Sequence, residues 1–107
     1  MEDIFCEILH GEEPRGILFE TENVVVIPDK FPKAEQHYLI IPKKHIQSIV
    51  DSTEEDMDIL GEMLFVAKNF AKERNISDYR LIFNAGKYVV VPHLHLHLIV
   101  GHLPPNL

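Results

Sequence analysis

The chain has 107 residues, 46% of them hydrophobic, with 17 acidic against 10 basic side chains and a formal net charge of -7 when histidine is neutral. That length and apolar content suit one domain over 1–107 with a packed core. The acidic balance argues against broad contact with a nucleic-acid backbone or an anionic membrane, so any phosphate bound here is expected to be small and held by local donors.

Cys6 is the single cysteine. No internal disulfide can form, and a reducing, cytoplasmic setting is expected. Met1-Glu2-Asp3 is acidic and leads into no long apolar run, unlike a secretion signal, and no segment reads as a bilayer span.

In chain order, residues 3–10 read as a short helix, with Asp3 as N-cap and Gly11 just past its end. The β-rich runs Gly16-Ile17-Leu18-Phe19 and Asn23-Val24-Val25-Val26-Ile27 flank the polar step Glu20-Thr21-Glu22, which predicts an antiparallel hairpin. A polar loop from Pro28 to Gln36 follows. The next strand is His37-Tyr38-Leu39-Ile40-Ile41, stopped by Pro42, and a helical turn is expected over Lys43-Lys44-His45-Ile46. Ser52-Thr53-Glu54-Glu55 has the capping-box pattern and predicts the start of one long helix near Ser52. Met57, Leu60, Leu64, Ala67 and Ala71 recur on its apolar face, widened by Ile59, Met63, Val66 and Phe70. Tyr79 to Phe83 forms a fourth strand.

The fifth strand is the most informative segment: Pro92-His93-Leu94-His95-Leu96-His97-Leu98-Ile99-Val100-Gly101. Side chains alternate along a strand, so three histidines share one face and three leucines the other. Imidazoles there can attack, donate hydrogen bonds or bind metal near neutral pH. Histidines on a merely solvated face are the plain alternative, which strict alternation of three disfavours. On a straight strand His93 and His97 stand about 13 Å apart, too far for one ion to join all three. A neighbouring pair with Cys6, Asp3 or His45 could hold one.

Together these elements predict an α+β domain: a five-stranded, mostly antiparallel sheet carrying one long helix, with a short N-terminal helix. The leucines of the last strand would pack under the long helix. The histidines would face a cleft or a partner.

The run His93-Leu94-His95-Leu96-His97-Leu98-Ile99 matches throughout the signature of the histidine triad family of nucleotide-binding proteins, alternating histidine with apolar residues. Ile4-Phe5-Cys6-Glu7-Ile8, Pro28-Asp29-Lys30, His37-Tyr38-Leu39-Ile40-Ile41-Pro42-Lys43-Lys44-His45-Ile46 and Asn84-Ala85-Gly86 agree in order, so the chain resembles that family over nearly its whole length. It is most similar to the branch of purine nucleoside phosphoramidate hydrolases, which are small homodimers. The resemblance implies that His95 is a nucleophile, that His97 contacts the α-phosphate, and that His93 and His37 orient the reacting ring. It implies that Asp29 holds the ribose hydroxyls, that Ile4, Phe5, Ile8 and Ile27 wall the base, and that Asn84 lines the phosphate end. The expected ligand is a purine nucleotide such as AMP or GMP, and the expected reaction is hydrolysis at the α-phosphate through a covalent nucleotidyl-histidine. A low-turnover purine-nucleotide-binding module and a dinucleoside polyphosphate hydrolase are the alternatives.

Two departures from the branch matter. It usually carries a Gln-Ser pair shortly before the triad, where this chain has Val89 and Val90; Val90 is counted among the nucleotide-binding positions. Residues 78–107 hold no serine, threonine or glutamine. Some members carry Cys-x-x-Cys near the N-terminus, whereas the same spacing here reads Asp3-Ile4-Phe5-Cys6. No metal or other cofactor is therefore expected, the alternative being a mixed zinc site of Asp3, Cys6, His45 and His93.

Overall fold

The computed structural model describes residues 16–29 and 35–101. The expected helix over 3–10, and with it Asp3, Ile4, Phe5, Cys6 and Ile8, lies outside the described residues.

Strands β1 (Phe19–Glu20), β2 (Val24–Pro28), β3 (Gln36–Pro42), β4 (Arg80–Ile82) and β5 (Leu96–Val100) form one sheet, and one long helix, α1, spans Met57–Glu73. The strand order is β1-β2-β3-β5-β4, and every neighbouring pair is antiparallel. The expected hairpin is present: Thr21 N–H donates to the Val24 carbonyl at 2.8 Å. Its turn is tied to α1, because Thr21 Oγ1 and Asn23 Nδ2 donate to the two carboxylate oxygens of Glu62 at 2.8 and 3.0 Å.

Alternation along the strands divides the apolar residues between two faces. Val24, Val26, Tyr38, Ile40, Leu96 and Leu98 join Met63, Val66, Ala67, Phe70 and Ala71 of α1 in the main core. Met63, Leu96 and Leu98 are fully buried, each contributing about 1.5–3 kcal/mol by removal from water. Val25, Ile27, Leu39 and Ile41 form a smaller cluster, with Val91 packed against it. This second cluster places His37 and His97, at the same strand parity, beside apolar neighbours.

Helix α1 buries the expected apolar face at Met63, Val66, Ala67, Phe70 and Ala71, but two of the expected positions fall outside it. Met57 and Leu64 are exposed, as is Phe65, whereas Met63, Val66 and Phe70 face the sheet and Ile59 and Leu60 are half-buried. Tyr38 decides the orientation: its ring meets Phe70 edge-on, with centroids 4.9 Å apart. The helix ends in a Schellman motif, with Ile76 N–H on the Ala71 carbonyl at 2.9 Å, Asn75 N–H on the Lys72 carbonyl at 3.1 Å, and Asn75 at φ 58.

The start also moves. Ser52 Oγ donates to the Ile49 carbonyl at 2.7 Å, so the cap falls on Thr53, whose N–H donates to Asp56 Oδ2 at 2.9 Å. A 3-10 turn over Glu54–Asp56 then leads into α1. No helical turn forms over 43–46; the segment instead bonds outward, with Lys43 N–H on the Asn23 carbonyl and the Ile46 carbonyl accepting from Leu94 N–H, at 2.8 and 2.6 Å. The next 3-10 turn comes later, at Ile49–Asp51.

Asp56 is buried at this junction, and the Lys44 ammonium, 2.6 Å away, followed by the Thr53 N–H, holds its carboxyl below the ordinary 3.8. A carboxyl lowered on folding stabilises the protein above its unfolded pKa, and that contribution disappears as pH falls through the folded value. Asp56→Asn is therefore expected to lower the melting temperature at neutral pH and to flatten its decline in acid. Thermal melts of both proteins between neutral pH and about pH 2.5 check this; parallel curves would mean that the carboxylate contributes nothing.

Candidate active site

The histidines reach their places by different routes. Strand β5 begins only at Leu96, so His93 and His95 lie in the bend and extended segment before it, while His97 stands within the strand. The single row of three expected from the sequence is therefore broken. His93 is fully buried, its ring nitrogens turned to the Pro42 carbonyl and to His45.

Hydrogen-bond polarity fixes most of the ring protons. A carbonyl only accepts, so His93 donates from Nε2 to the Pro42 carbonyl at 2.9 Å and keeps a lone pair on Nδ1. That lone pair accepts from His45 Nδ1–H at 3.2 Å. His95 donates from Nδ1 to the His93 carbonyl at 2.8 Å, which leaves its Nε2 unprotonated. The ring of His95 is thus held by the backbone at position 93, not by the His93 imidazole.

His37, on β3, reaches His97 rather than His95. Its Nε2 lies 2.8 Å from His97 Nδ1 and 3.4 Å from Asp29 Oδ2. One proton is shared on the His37 Nε2–His97 Nδ1 contact, and the Asp29 carboxylate lies within ion-pair distance of the same His37 nitrogen. Asn84 Nδ2 sits 3.4 Å from His97 Nε2, an amide N–H donor facing the ring nitrogen. Asp29 is positioned by its backbone, its N–H donating to the His37 carbonyl at 2.9 Å. The rings of His95 and His97 meet edge to face with centroids 4.8 Å apart.

Burial sets the charge state. It pushes the pKa of His97 down to about 4, helped by His95 and His37, against the opposing pull of Asp29. Burial also lowers His95, only partly offset by the hydrogen bond to the His93 carbonyl. Both rings are neutral at physiological pH, so His95 Nε2 presents a lone pair beside the uncharged His97 ring.

Beside them lies a small cleft lined by Gln47, Ser48, Asn84, Val89, Val91, His93, Leu94 and His95. Val90 does not line it: consecutive side chains point to opposite sides of this extended stretch, so Val89 and Val91 form the wall while Val90 is 86% exposed. Ile27 is fully buried in the smaller apolar cluster. Gln47 and Ser48 were not singled out from the sequence. Their signal is a Gln-Ser pair directly after His45-Ile46, and only the fold carries it to the cleft wall facing Val89.

Two groups of side chains could hold a metal. Among the described residues, Asp29, His37 and His97 bring ligand atoms within 4.8 Å of one another. His45 and His93 bring their Nδ1 atoms to 3.2 Å, half of the mixed set whose other members, Asp3 and Cys6, lie outside the described residues.

Sheet, helix and a histidine cluster beside a cleft define a histidine-centred α+β protein. The family model for the scavenger mRNA decapping enzyme C-terminal binding domain matches residues 2–106. A histidine triad protein from Clostridium difficile is 36% identical with a TM-score of 0.90, covering 100% of this chain and 99% of that one. A HIT family hydrolase from Legionella pneumophila is 40% identical with a TM-score of 0.86 and 95% coverage of both chains. The adenosine 5'-monophosphoramidase HINT3 of Danio rerio is 39% identical over 103 residues, which are 92% of this chain and 64% of that protein, so this chain spans just under two thirds of that relative. The chain belongs to the histidine triad (HIT) family.

Proposed function

We propose that this chain hydrolyses purine nucleoside monophosphate derivatives at the α-phosphate through a covalent intermediate on His95. The observation that carries this reading is the His95 Nδ1–H bond to the His93 carbonyl, which aims a neutral imidazole's lone pair outward from Nε2. In the first step Nε2 bonds to phosphorus and the bond to the leaving group breaks, an amine departing with a proton and a phosphate as an anion. In the second, water attacks the phosphorus, the N–P bond breaks, and the mononucleotide leaves. His97 contacts the α-phosphate, and the Asn84 amide N–H beside it stabilises charge on the nonbridging oxygens in both steps. His37, held between Asp29 and His97, orients the His97 ring, and Asp29 takes the ribose hydroxyls. Ile4, Phe5 and Ile8 are proposed, with Ile27 behind them, to wall the base. The relatives named a hydrolase and an adenosine 5'-monophosphoramidase support the reaction class.

Two chains are proposed to form a homodimer. The exposed Leu64 and Phe65 of α1 and the edge position of β4 in the sheet support it, and light scattering tests it.

The cleft wall predicts the preferred leaving group. Val89 and Val91 supply no proton, and Ser48 Oγ commits its own to Asp51 Oδ2 at 2.7 Å. An amine needs a proton as it departs, whereas an acidic group does not. Turnover of an adenylate with an acidic leaving group is therefore expected to exceed that of an adenosine phosphoramidate by about tenfold or more, about 1.4 kcal/mol in barrier. Parallel assays of AMP release test both points: no AMP from either substrate sinks the hydrolase, and a preference for the amine sinks the leaving-group reading. Tight AMP binding without turnover would favour the binding module.

A further inference from the structure

We propose that Asp29, His37 and His97 form a capture site for a divalent transition-metal ion such as zinc, and that the captured ion and the nucleotide exclude each other. The binding half stands on the geometry alone; the exclusion half rests on the nucleotide reading given above.

The spacing suits an ion without large rearrangement. Ligand atoms about 2.0–2.2 Å from zinc lie about 3.3–3.5 Å apart at a tetrahedral angle, and about 2.9 Å apart at a right angle. The Asp29 Oδ2 to His37 Nε2 edge, at 3.4 Å, already has the tetrahedral length, and the His37 Nε2 to His97 Nδ1 edge, at 2.8 Å, is near the right-angle length. The third edge closes within 4.8 Å. A modest turn of the His97 ring brings all three atoms around one point.

The fold pre-sets these positions. His37 and His97 sit on adjacent strands, in a register that pairs His97 with Leu39, and Asp29 is pinned by its N–H on the His37 carbonyl. The His37 side chain is 2% exposed and Asp29 17%, and His97 is half-buried, so His37 is shielded while the carboxylate side stays partly open to an entering ion. Two imidazoles and one carboxylate select zinc, cobalt, nickel or copper(II); magnesium and calcium favour oxygen ligands throughout. Three protein ligands leave a fourth position for water or another small donor. Neutral imidazoles bind without net proton loss: the proton shared on the His37 Nε2–His97 Nδ1 contact moves to the other nitrogen of its ring, so both facing nitrogens and the carboxylate offer lone pairs to the ion.

Occupation would take Asp29 from the ribose and lock His97 Nδ1, the atom that His37 Nε2 contacts. The site is separate from the mixed set of Asp3, Cys6, His45 and His93, and the two are told apart by ligand type. A thiolate ligand gives cobalt a strong near-ultraviolet charge-transfer band; an N,N,O set does not.

The test is titration of the chelator-treated full chain with Co²⁺, followed by visible absorption, and with Zn²⁺ by calorimetry. The expected result is one ion per chain without the thiolate band, unchanged in the Cys6→Ser/His45→Gln double variant. Asp29→Asn and His37→Gln, each checked for folding by circular dichroism, are expected to weaken binding at least tenfold. Saturating AMP is expected to weaken cobalt binding at least tenfold as well. The site is overturned if cobalt fails to bind at millimolar concentration, or if binding survives Asp29→Asn and is lost in the double variant. If cobalt binds as described and AMP binds without shifting its affinity, mutual exclusion is overturned. If AMP does not bind at all, the nucleotide reading fails while the metal site stands.

Discussion

His95→Ala is expected to lower turnover by about 10⁴-fold or more while leaving AMP binding within a few-fold of the parent protein. Loss of an attacking group removes the covalent route itself, so the effect falls on kcat, whereas the contacts proposed for the nucleoside come from other elements. Acid-quenched mass spectrometry of the parent protein should show a nucleotidyl adduct on the peptide containing His95, absent in the variant. Turnover in the parent should also hold nearly constant as pH falls through the ordinary imidazole value of 6.5, because burial keeps His95 and His97 neutral below it. An active His95→Ala protein, or an activity midpoint at the ordinary value, would remove the basis of the mechanism.

His93→Ala is expected to cost about 3 kcal/mol of folding stability, through the cavity left by a buried ring and the loss of the donor to a buried carbonyl. The side chain is fully buried and its Nε2–H satisfies the Pro42 carbonyl. Its second role is carried by the backbone: the His93 carbonyl accepts from His95 Nδ1–H, and alanine keeps that carbonyl. At temperatures where the variant is folded, adduct formation is accordingly expected to fall less than tenfold. Denaturant melts measure the first effect and rapid-quench labelling the second. Unchanged stability with abolished labelling would instead place the His93 ring itself at the reacting atoms.

His93 also shows where local pattern stops being informative. Strict alternation with leucine marks Leu94, Leu96 and Leu98 as core, and all three pack in the main cluster. The same alternation suggests one row of three equivalent histidines, but the chain bends before Leu96, because Leu94 N–H is drawn to the Ile46 carbonyl and His93 Nε2–H to the Pro42 carbonyl. Neither partner is local in sequence. In α1 the 3.6 period identifies an apolar helix, yet several arcs of that surface are apolar enough to bury. Contact between Phe70 and Tyr38 selects one of them and leaves Met57 and Leu64 outside.

Sequence by itself determined the α+β class, the hairpin, the long helix and the three histidines, because period, turn residues and caps act over a few neighbouring positions. Tertiary structure decided that His37 meets His97 and Asp29, that the backbone of His93 holds the His95 ring, that Val90 stands in solvent, and that Gln47 and Ser48 reach the cleft. Those relations depend on strand register and on hydrogen bonds between segments up to 60 positions apart, which no local spacing encodes.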